Sequence, residues 1–334
     1  MLGHDQNTLR VGLAVPASGV LGQTGPVAIA ASVLAAEEIN EKDGVRGKRI
    51  ELVPIDAGTL PEIVAREVDT LLAAKAIDSA CGFHTSDVHR RLEKVTSGRI
   101  PYLFTPPHEG GSRLSGVALL GESPFEQMLP VARHLADGRR RRRWALIGND
   151  YIWPRAINKA AKKLLTAHGS EVVLSESVPF GEVNGELLID RIHGARADAV
   201  LLSLVGRDLA TFNRVFAEST LAERVIRASG SLDETGLLEV GGDDSGELYS
   251  TMRWFASDPD VDCFRERYFH RFGAHAPGLG VYSSGCYAGL RLLGTLSKSG
   301  LLEVDTVAES AARLGSHRRI HLARAQGLEL VGVT

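Results

Sequence analysis

Cysteine, methionine and tryptophan occur only three times each among the 334 residues, and aromatic residues make up 6% of the chain. The cysteines, Cys81, Cys263 and Cys286, are odd in number and far apart, which excludes a disulfide framework and a Cys-x-x-Cys metal or redox motif. Free, mostly buried thiols are expected. No run approaches the roughly 18 to 20 apolar residues of a membrane span, and the opening residues MLGHDQNTLR contain no signal-peptide apolar core. The chain therefore reads as cytoplasmic, with an extracytoplasmic location as the alternative if a leader has been removed. A dominant charge of one sign is also missing. The formal net charge of −3 gives no global attraction to nucleic acid or to an anionic membrane, so no direct DNA binding is expected.

Catalytic signatures are equally scarce. No G-x-S-x-G nucleophile elbow and no H-E-x-x-H pair occur. GVRGKR has neither the length nor the Ser/Thr of a phosphate-binding loop. GVLGQTG spaces its glycines G-x-x-G-x-x-G instead of G-x-G-x-x-G, although Asp56 ends the next strand where a ribose-binding acid would stand. His84, His89, His108 and Glu109 lack metal-ligand spacing, which points to surface or cleft-lining roles. With no acid, base and nucleophile set in a known spacing, the chain reads as a non-enzyme without cofactor or metal. An α/β enzyme is the alternative from another class.

What is present is an ordinary globular composition, 44% hydrophobic and 24% charged, in a chain long enough for two cores. Strand-like runs alternate with helical ones: LRVGLAV, then GPVAIAASVLAAEEINEKDG, then KRIELVPID, LPEIVAREVDTLLAAKA, IDSACGF, SDVHRRLEKVTSG and IPYLFT. The pattern restarts after SPFEQMLPVARHLADG with RWALIGND and continues through DAVLLSLVG and ERVIRASG. A terminal hairpin is expected where HRRIHLAR and LELVGVT flank AQG. Such alternation predicts parallel sheets covered by helices, an α/β chain of two doubly wound lobes joined by crossovers with a ligand cleft between them.

Ligands in these sheets sit beyond the carboxyl ends of the strands. The informative residues are therefore Pro16 to Gly19, Asp56 to Gly58, His84 to Ser86, Thr105 to His108, Asn149 to Tyr151, Val205 to Arg207 and Ser229 to Ser231. NDYIWPR, directly after WALIG, places Tyr151 and Trp153 at such an end, and Pro154 suits the first turn of the helix that follows. The pair reads as a cleft wall or, alternatively, as core. Ser86 reads as a site hydroxyl, a helix cap, or both. The run Arg139 to Arg143 reads as a solvated turn, with an acidic partner or RNA as the alternative.

PASGVLGQTGPVAIAASVLAAEEINEKDGVRGKRIELVPIDAG resembles the opening of the type I periplasmic-binding-protein fold of branched-chain amino-acid and amide receptors, the Venus-flytrap architecture. PYLFTPPHEG, ALIGNDYIWPRAINKAAKKLLTAHGSEVV, ARADAVLLSLVG and RASGSLDETGLLEV are similar in order and spacing to the amide-sensing branch, cytosolic regulators of amidase expression. The resemblance implies one lobe of residues 8–118 with 256–314 and another of 119–255 with 315–334. It implies a small polar solute held between them by Ser86, His84, Phe104, Thr105 and Pro106 from the first lobe and by Tyr151, Trp153, Val205 and Ser231 from the second. His84 and Phe104 stand where that branch has tyrosines, Pro106 where it has threonine and Trp153 where it has tyrosine. Asp233 or Glu234 would pair an ammonium if the solute is an amino acid; with an amide or urea it would turn away or accept from an NH2 group. The implied partner is an antiterminator-type regulator or, in the transporter branch, an ABC permease, with a homo-oligomer as a further expectation.

Overall fold

The computed structural model describes residues 7–136, 142–258, 262–315 and 319–333. Five strands, β1 (Thr8–Val15), β2 (Arg49–Asp56), β3 (Ser79–Gly82), β4 (Tyr102–Phe104) and β5 (Val117–Leu119), form a parallel sheet in the order β2-β1-β3-β4-β5. Helices α1 (Gly25–Asn40), α2 (Pro61–Ala73) and α3 (Ser86–Thr96) connect them. In α2 the buried residues Val64 and Val68 fall four apart on one face, and in α3 Val88, Leu92 and Thr96 do the same.

The second sheet has seven strands in the order β12-β11-β10-β9-β8-β6-β7. β6 (Arg143–Asn149), β7 (Glu171–Val178), β8 (Ala199–Ser203), β9 (Ile226–Ser229) and β10 (Leu248–Met252) are parallel. β11 (His321–Gln326) and β12 (Glu329–Gly332) add the expected hairpin in antiparallel register. The central strand β8 is buried along its whole length, which is why AVLLS is a continuous apolar run without alternation. Helices α4 (Pro124–Val131), α5 (Ile152–Ala167), α6 (Gly185–Gly194), α7 (Gly206–Ala217) and α8 (Glu234–Val240) belong to this half.

After β10 the chain returns to the first sheet. α9 (Asp262–Phe272) ties to α1 through Arg267–Glu38 and Arg271–Glu37 ion pairs. In α10 (Val281–Lys298) and α11 (Val307–Leu314), Leu290, Leu293, Val307 and Ala311 share a core with Val11, Ile39 and Leu103. The chain thus passes between the sheets three times, near residue 120, near residue 255 and between α11 and β11. Strand β5 and helix α8 were not expected from sequence; three and seven residues are too short to show a period. Cys81 and Cys286 are buried free thiols, and Cys263 is a free thiol exposed to solvent. Of the arginine run, Arg139 to Arg141 lie outside the described residues. Among the described residues no helix is long and apolar enough to cross a membrane.

Candidate functional site

The carboxyl ends of the two sheets face one another across a cleft. In the closed arrangement seen here it encloses about 30 Å³, on the order of two water molecules. Its lining draws on both lobes. His84, Ser86 and Pro106 come from the first, following β3 and β4, while Tyr151, Trp153 and Val205 come from the second, following β6 and β8. Six residues singled out in the sequence therefore meet around one space.

Second-lobe positioning is achieved by Asn149 at the end of β6. Its side-chain amide donates to Asp208 in α7 over 2.6 Å, and its side-chain oxygen accepts from the Val205 backbone N–H at 2.9 Å. Tyr151 then stands as the extended residue before α5, with Pro154 in the first turn as expected. The Tyr151 ring packs on Phe180 at 5.0 Å, and both Tyr151 and Trp153 are buried within the continuous hydrophobic core. The cleft-wall and core readings of this pair thus coincide in the closed arrangement. Trp153 lines the cleft, yet its indole Nε1–H is a buried donor with no hydrogen-bond partner.

In the first lobe Thr85, not Ser86, is the residue that precedes α3. The Ser86 hydroxyl instead accepts the Trp153 backbone N–H over 2.9 Å, joining the lobes. Because that bond uses a lone pair, the Ser86 O–H remains able to donate. Two more contacts bridge the lobes: the Arg207 N–H donates to the Val20 carbonyl at 3.0 Å, and the Tyr282 hydroxyl donates to the Ser231 carbonyl at 3.3 Å.

His84 lines the cleft, but both of its nitrogens are engaged. Nδ1 lies 3.2 Å from the Thr85 carbonyl, which only accepts, so Nδ1 carries the proton. Burial lowers the His84 pKa to about 4, keeping the ring neutral, and Nε2 therefore accepts from the Tyr102 hydroxyl at 2.9 Å. Tyr102 in turn accepts from His89 Nδ1 at 3.0 Å. His84 thus offers the cleft a ring surface with no free polar atom. Phe104 lies behind it, stacked on His89 at 4.0 Å.

Other expected residues lie outside the lining. The Thr105 hydroxyl donates to the Gly82 carbonyl. The Ser231 hydroxyl donates to the Leu204 carbonyl. Asp233 caps α8 by accepting from Gly236 N–H at 2.9 Å, and Glu234 accepts from the Ala256 N–H at 2.5 Å. Burial pushes the Asp233 carboxyl up to about 6; burial, reinforced by the neighbouring Asp233, pushes Glu234 up to about 8. Asp56, the acid a dinucleotide site needs for ribose, accepts the backbone N–H groups of Ala17, Ser18 and Gly58 with one oxygen and so holds its own loops together. Among the described residues no group of three or more His, Cys, Asp or Glu is arranged to hold a metal.

Leu21, Phe83, Thr85, Pro107 and Tyr282 complete the lining. Sequence reasoning missed Tyr282, which opens α10 and stacks on Phe83 at 5.0 Å. Its position at a helix start, remote from any strand end, gave no signal. The lining contains no Asp, Glu, Lys or Arg.

A two-lobed α/β chain with a closed interlobe cleft defines a solute-binding protein. The model of the periplasmic binding protein family matches residues 8–316, and the chain belongs to that family. Its type I fold is that of the branched-chain amino-acid receptors. The chain is 22% identical over 314 residues to a leucine-, isoleucine-, valine-, threonine- and alanine-binding protein of Pseudomonas aeruginosa, covering 91% of this chain and 82% of that relative. A solved solute binding protein of an ABC transporter from Rhodopseudomonas palustris, in complex with 3,4-dihydroxybenzoic acid, has a TM-score of 0.79 at 19% identity, covering 98% of this chain and 97% of that one. A branched-chain amino acid transporter substrate binding protein from Streptococcus pneumoniae, in complex with isoleucine, has a TM-score of 0.77 at 14% identity, covering 98% and 99%. These structural likenesses establish the fold.

Proposed function

We propose that the protein is a non-enzymatic receptor for a small uncharged polar solute, a short amide or urea-like compound, which it signals by closing its lobes. The observation that carries this reading is the character of the lining: apolar and aromatic walls, no ionised group, and two donors without an internal acceptor, the Ser86 O–H and the Trp153 indole N–H. Donors without an internal acceptor suit a carbonyl oxygen, and the apolar walls exclude water. An amino acid would also need an anionic partner for its ammonium. Asp233 and Glu234, the carboxylates expected for that task, are absent from the lining and engaged at α8 and near residue 256. The closed space is itself on the scale of a few heavy atoms.

Closure follows because a solute touching both lobes stabilises the closed form by its differential affinity for it. The lobe division is taken as 8–118 with 256–314 against 119–255 with 315–334, which agrees with the membership of the two sheets except that the residue just before the first crossing, Leu119, still pairs in β5. A cytoplasmic antiterminator-type regulator is the partner this reading favours. The second reading is delivery to an ABC permease from outside the cytoplasm, which the names of the structural neighbours support. Fractionation of cells carrying the tagged native gene distinguishes them.

The direct test is calorimetry and thermal shift with acetamide, formamide, urea, leucine and valine, on protein unfolded and refolded to strip carried-over solute. An amide or urea at a hundredfold excess over its dissociation constant adds about 2.7 kcal/mol of stability. A response to leucine or valine alone would overturn the uncharged-solute reading while keeping the receptor. No response to any of them would count against the receptor itself.

A further inference from the structure

We propose that the protein has a second binding site, for an amphipathic organic anion, on the hinge side of the cleft. A cavity of about 760 Å³ opens there, the size of a small-molecule site and far larger than the closed cleft. All three passages of the chain between the lobes contribute to its wall, through Leu120, Trp254 and Ile320. Pro106, Pro107 and Tyr282 line both this cavity and the cleft, so the two spaces share one partition.

The chemistry of the wall selects the ligand. Phe264 and Tyr287 pack ring to ring at 4.3 Å and form, with Trp254, an aromatic face, while Ala288 and Leu314 leave apolar surface open to water at its edge. Charge is unequal at the α9 and α10 end. Arg267 and Arg291 both pair with a single carboxylate, Glu38, at 2.7 and 3.0 Å, and the Tyr287 hydroxyl donates to the same carboxylate. Two guanidinium groups against one carboxylate leave one positive charge uncompensated, and both arginines remain substantially exposed. Elsewhere the wall sets one arginine, Arg253, against two carboxylates, Glu122 and Glu126, so the positive excess is confined to the α9 and α10 end. Arg253 pairs with Glu122 at 3.1 Å, and Glu126 accepts from the Ser123 N–H and hydroxyl at the start of α4, where the helix dipole favours an anion. An aromatic or aliphatic carboxylate fits: its apolar body covers the ring face and its head meets the Arg267–Arg291 pair with charge-assisted bonds.

Binding here touches segments that must change conformation when the lobes rotate. The site does not depend on which solute enters the cleft. The test titrates 4-phenylbutyrate and its neutral analogue 4-phenylbutanol into the full chain by calorimetry. One carboxylate is expected to bind per chain, with the alcohol at least about tenfold weaker, a difference of about 1.4 kcal/mol. Arg291→Met, which leaves Arg267 on Glu38, is expected to weaken the acid by about tenfold. Ala288→Trp, on the exposed side of α10, is expected to cover part of the apolar wall and weaken binding by about tenfold, with circular dichroism and melting temperature showing that both variants fold. The proposal is overturned by any of three results: no saturable binding at millimolar acid, equal binding of acid and alcohol, or binding that survives both substitutions unchanged.

Discussion

The backbone N–H of Trp153 donates to the Ser86 hydroxyl oxygen over 2.9 Å, so a residue of one lobe is bonded to a residue of the other in the wall of the cleft that both line. The same two residues supply the unspent donors of the site. Interlobe closure and the proposed solute recognition therefore draw on different atoms of the same two residues.

Replacing Trp153 by Phe removes the buried indole N–H that has no partner in the closed protein. If that donor meets the solute carbonyl, affinity should fall by about 1 to 3 kcal/mol, while removal of an unsatisfied buried donor offsets part of the lost packing, so stability without solute should fall by no more than about 1.5 kcal/mol. Calorimetry and urea unfolding measure the two quantities separately. Unchanged affinity would show that the indole faces core only.

Gly206 begins α7 with φ +50°, and a Cβ there would lie 2.1 Å from the Val20 carbonyl oxygen in the opposite lobe. That oxygen already accepts the Arg207 N–H. Gly206→Ala should wedge the lobes apart, weakening solute binding by roughly tenfold or more and enlarging the radius of gyration seen by small-angle scattering with solute present. The strained backbone should cost about 1 to 2 kcal/mol of second-lobe stability. A variant that closes and binds as the native chain does would refute the wedge.

A pH dependence of stability follows from Glu234. Its folded pKa, raised to about 8 from an ordinary 4.5, means the folded state binds a proton the unfolded state has released, so its contribution is complete below about pH 4.5 and is lost as pH rises through 8. Buried neutral His84 and His108, both lowered to about 4 by burial, act oppositely, losing stability as pH falls below 6.5. Buried His89 is lowered likewise, and because an unfolded histidine is still half protonated at pH 6.5, Glu234 dominates only in the window from about pH 7.5 to 8.5. Urea midpoints should fall across it, and Glu234→Gln should flatten the slope. A native profile that is level or rising there would contradict the assignment.

The arginine run should leave the cleft untouched. Arg143 opens β6, roughly 20 Å along the strand from Asn149, and its side chain bonds to the carbonyls of Ala195 and Arg196. Serine at both Arg142 and Arg143 should cost at most about 1 kcal/mol of stability, as exposed contacts do, and leave solute affinity unchanged in calorimetry. Changed affinity with the fold intact would place the site at the wrong end of the strand.

The two-lobed fold was legible because each βα unit carries its own period, and the cleft was legible as the set of residues just past the strands: Ser86, Pro106, Tyr151, Trp153 and Val205 all met around it. What periodicity could not convey was the use already made of a polar atom. Ser231, Thr105, Asp233 and Glu234 follow strands in the expected way, yet their side chains are committed to nearby backbone. His84 is similar, its nitrogens engaged by Tyr102 and Thr85, eighteen residues and one residue away. Tyr282 was invisible for the opposite reason, since α10 reaches the cleft only through packing on α1 and β3 from more than two hundred residues downstream.

That long-range packing has a kinetic consequence. Neither half of the molecule is a continuous stretch of chain, so on the ribosome the first sheet must wait, its Val11 and Leu103 surface uncovered, until Leu290 and Val307 have been made. The second sheet in turn acquires β11 and β12 only after that. Contacts of such sequence separation make for slow folding through partly assembled species, and the sheet left waiting presents apolar surface to which a chaperone would bind. The three passages that let the lobes move as units therefore also oblige them to mature together.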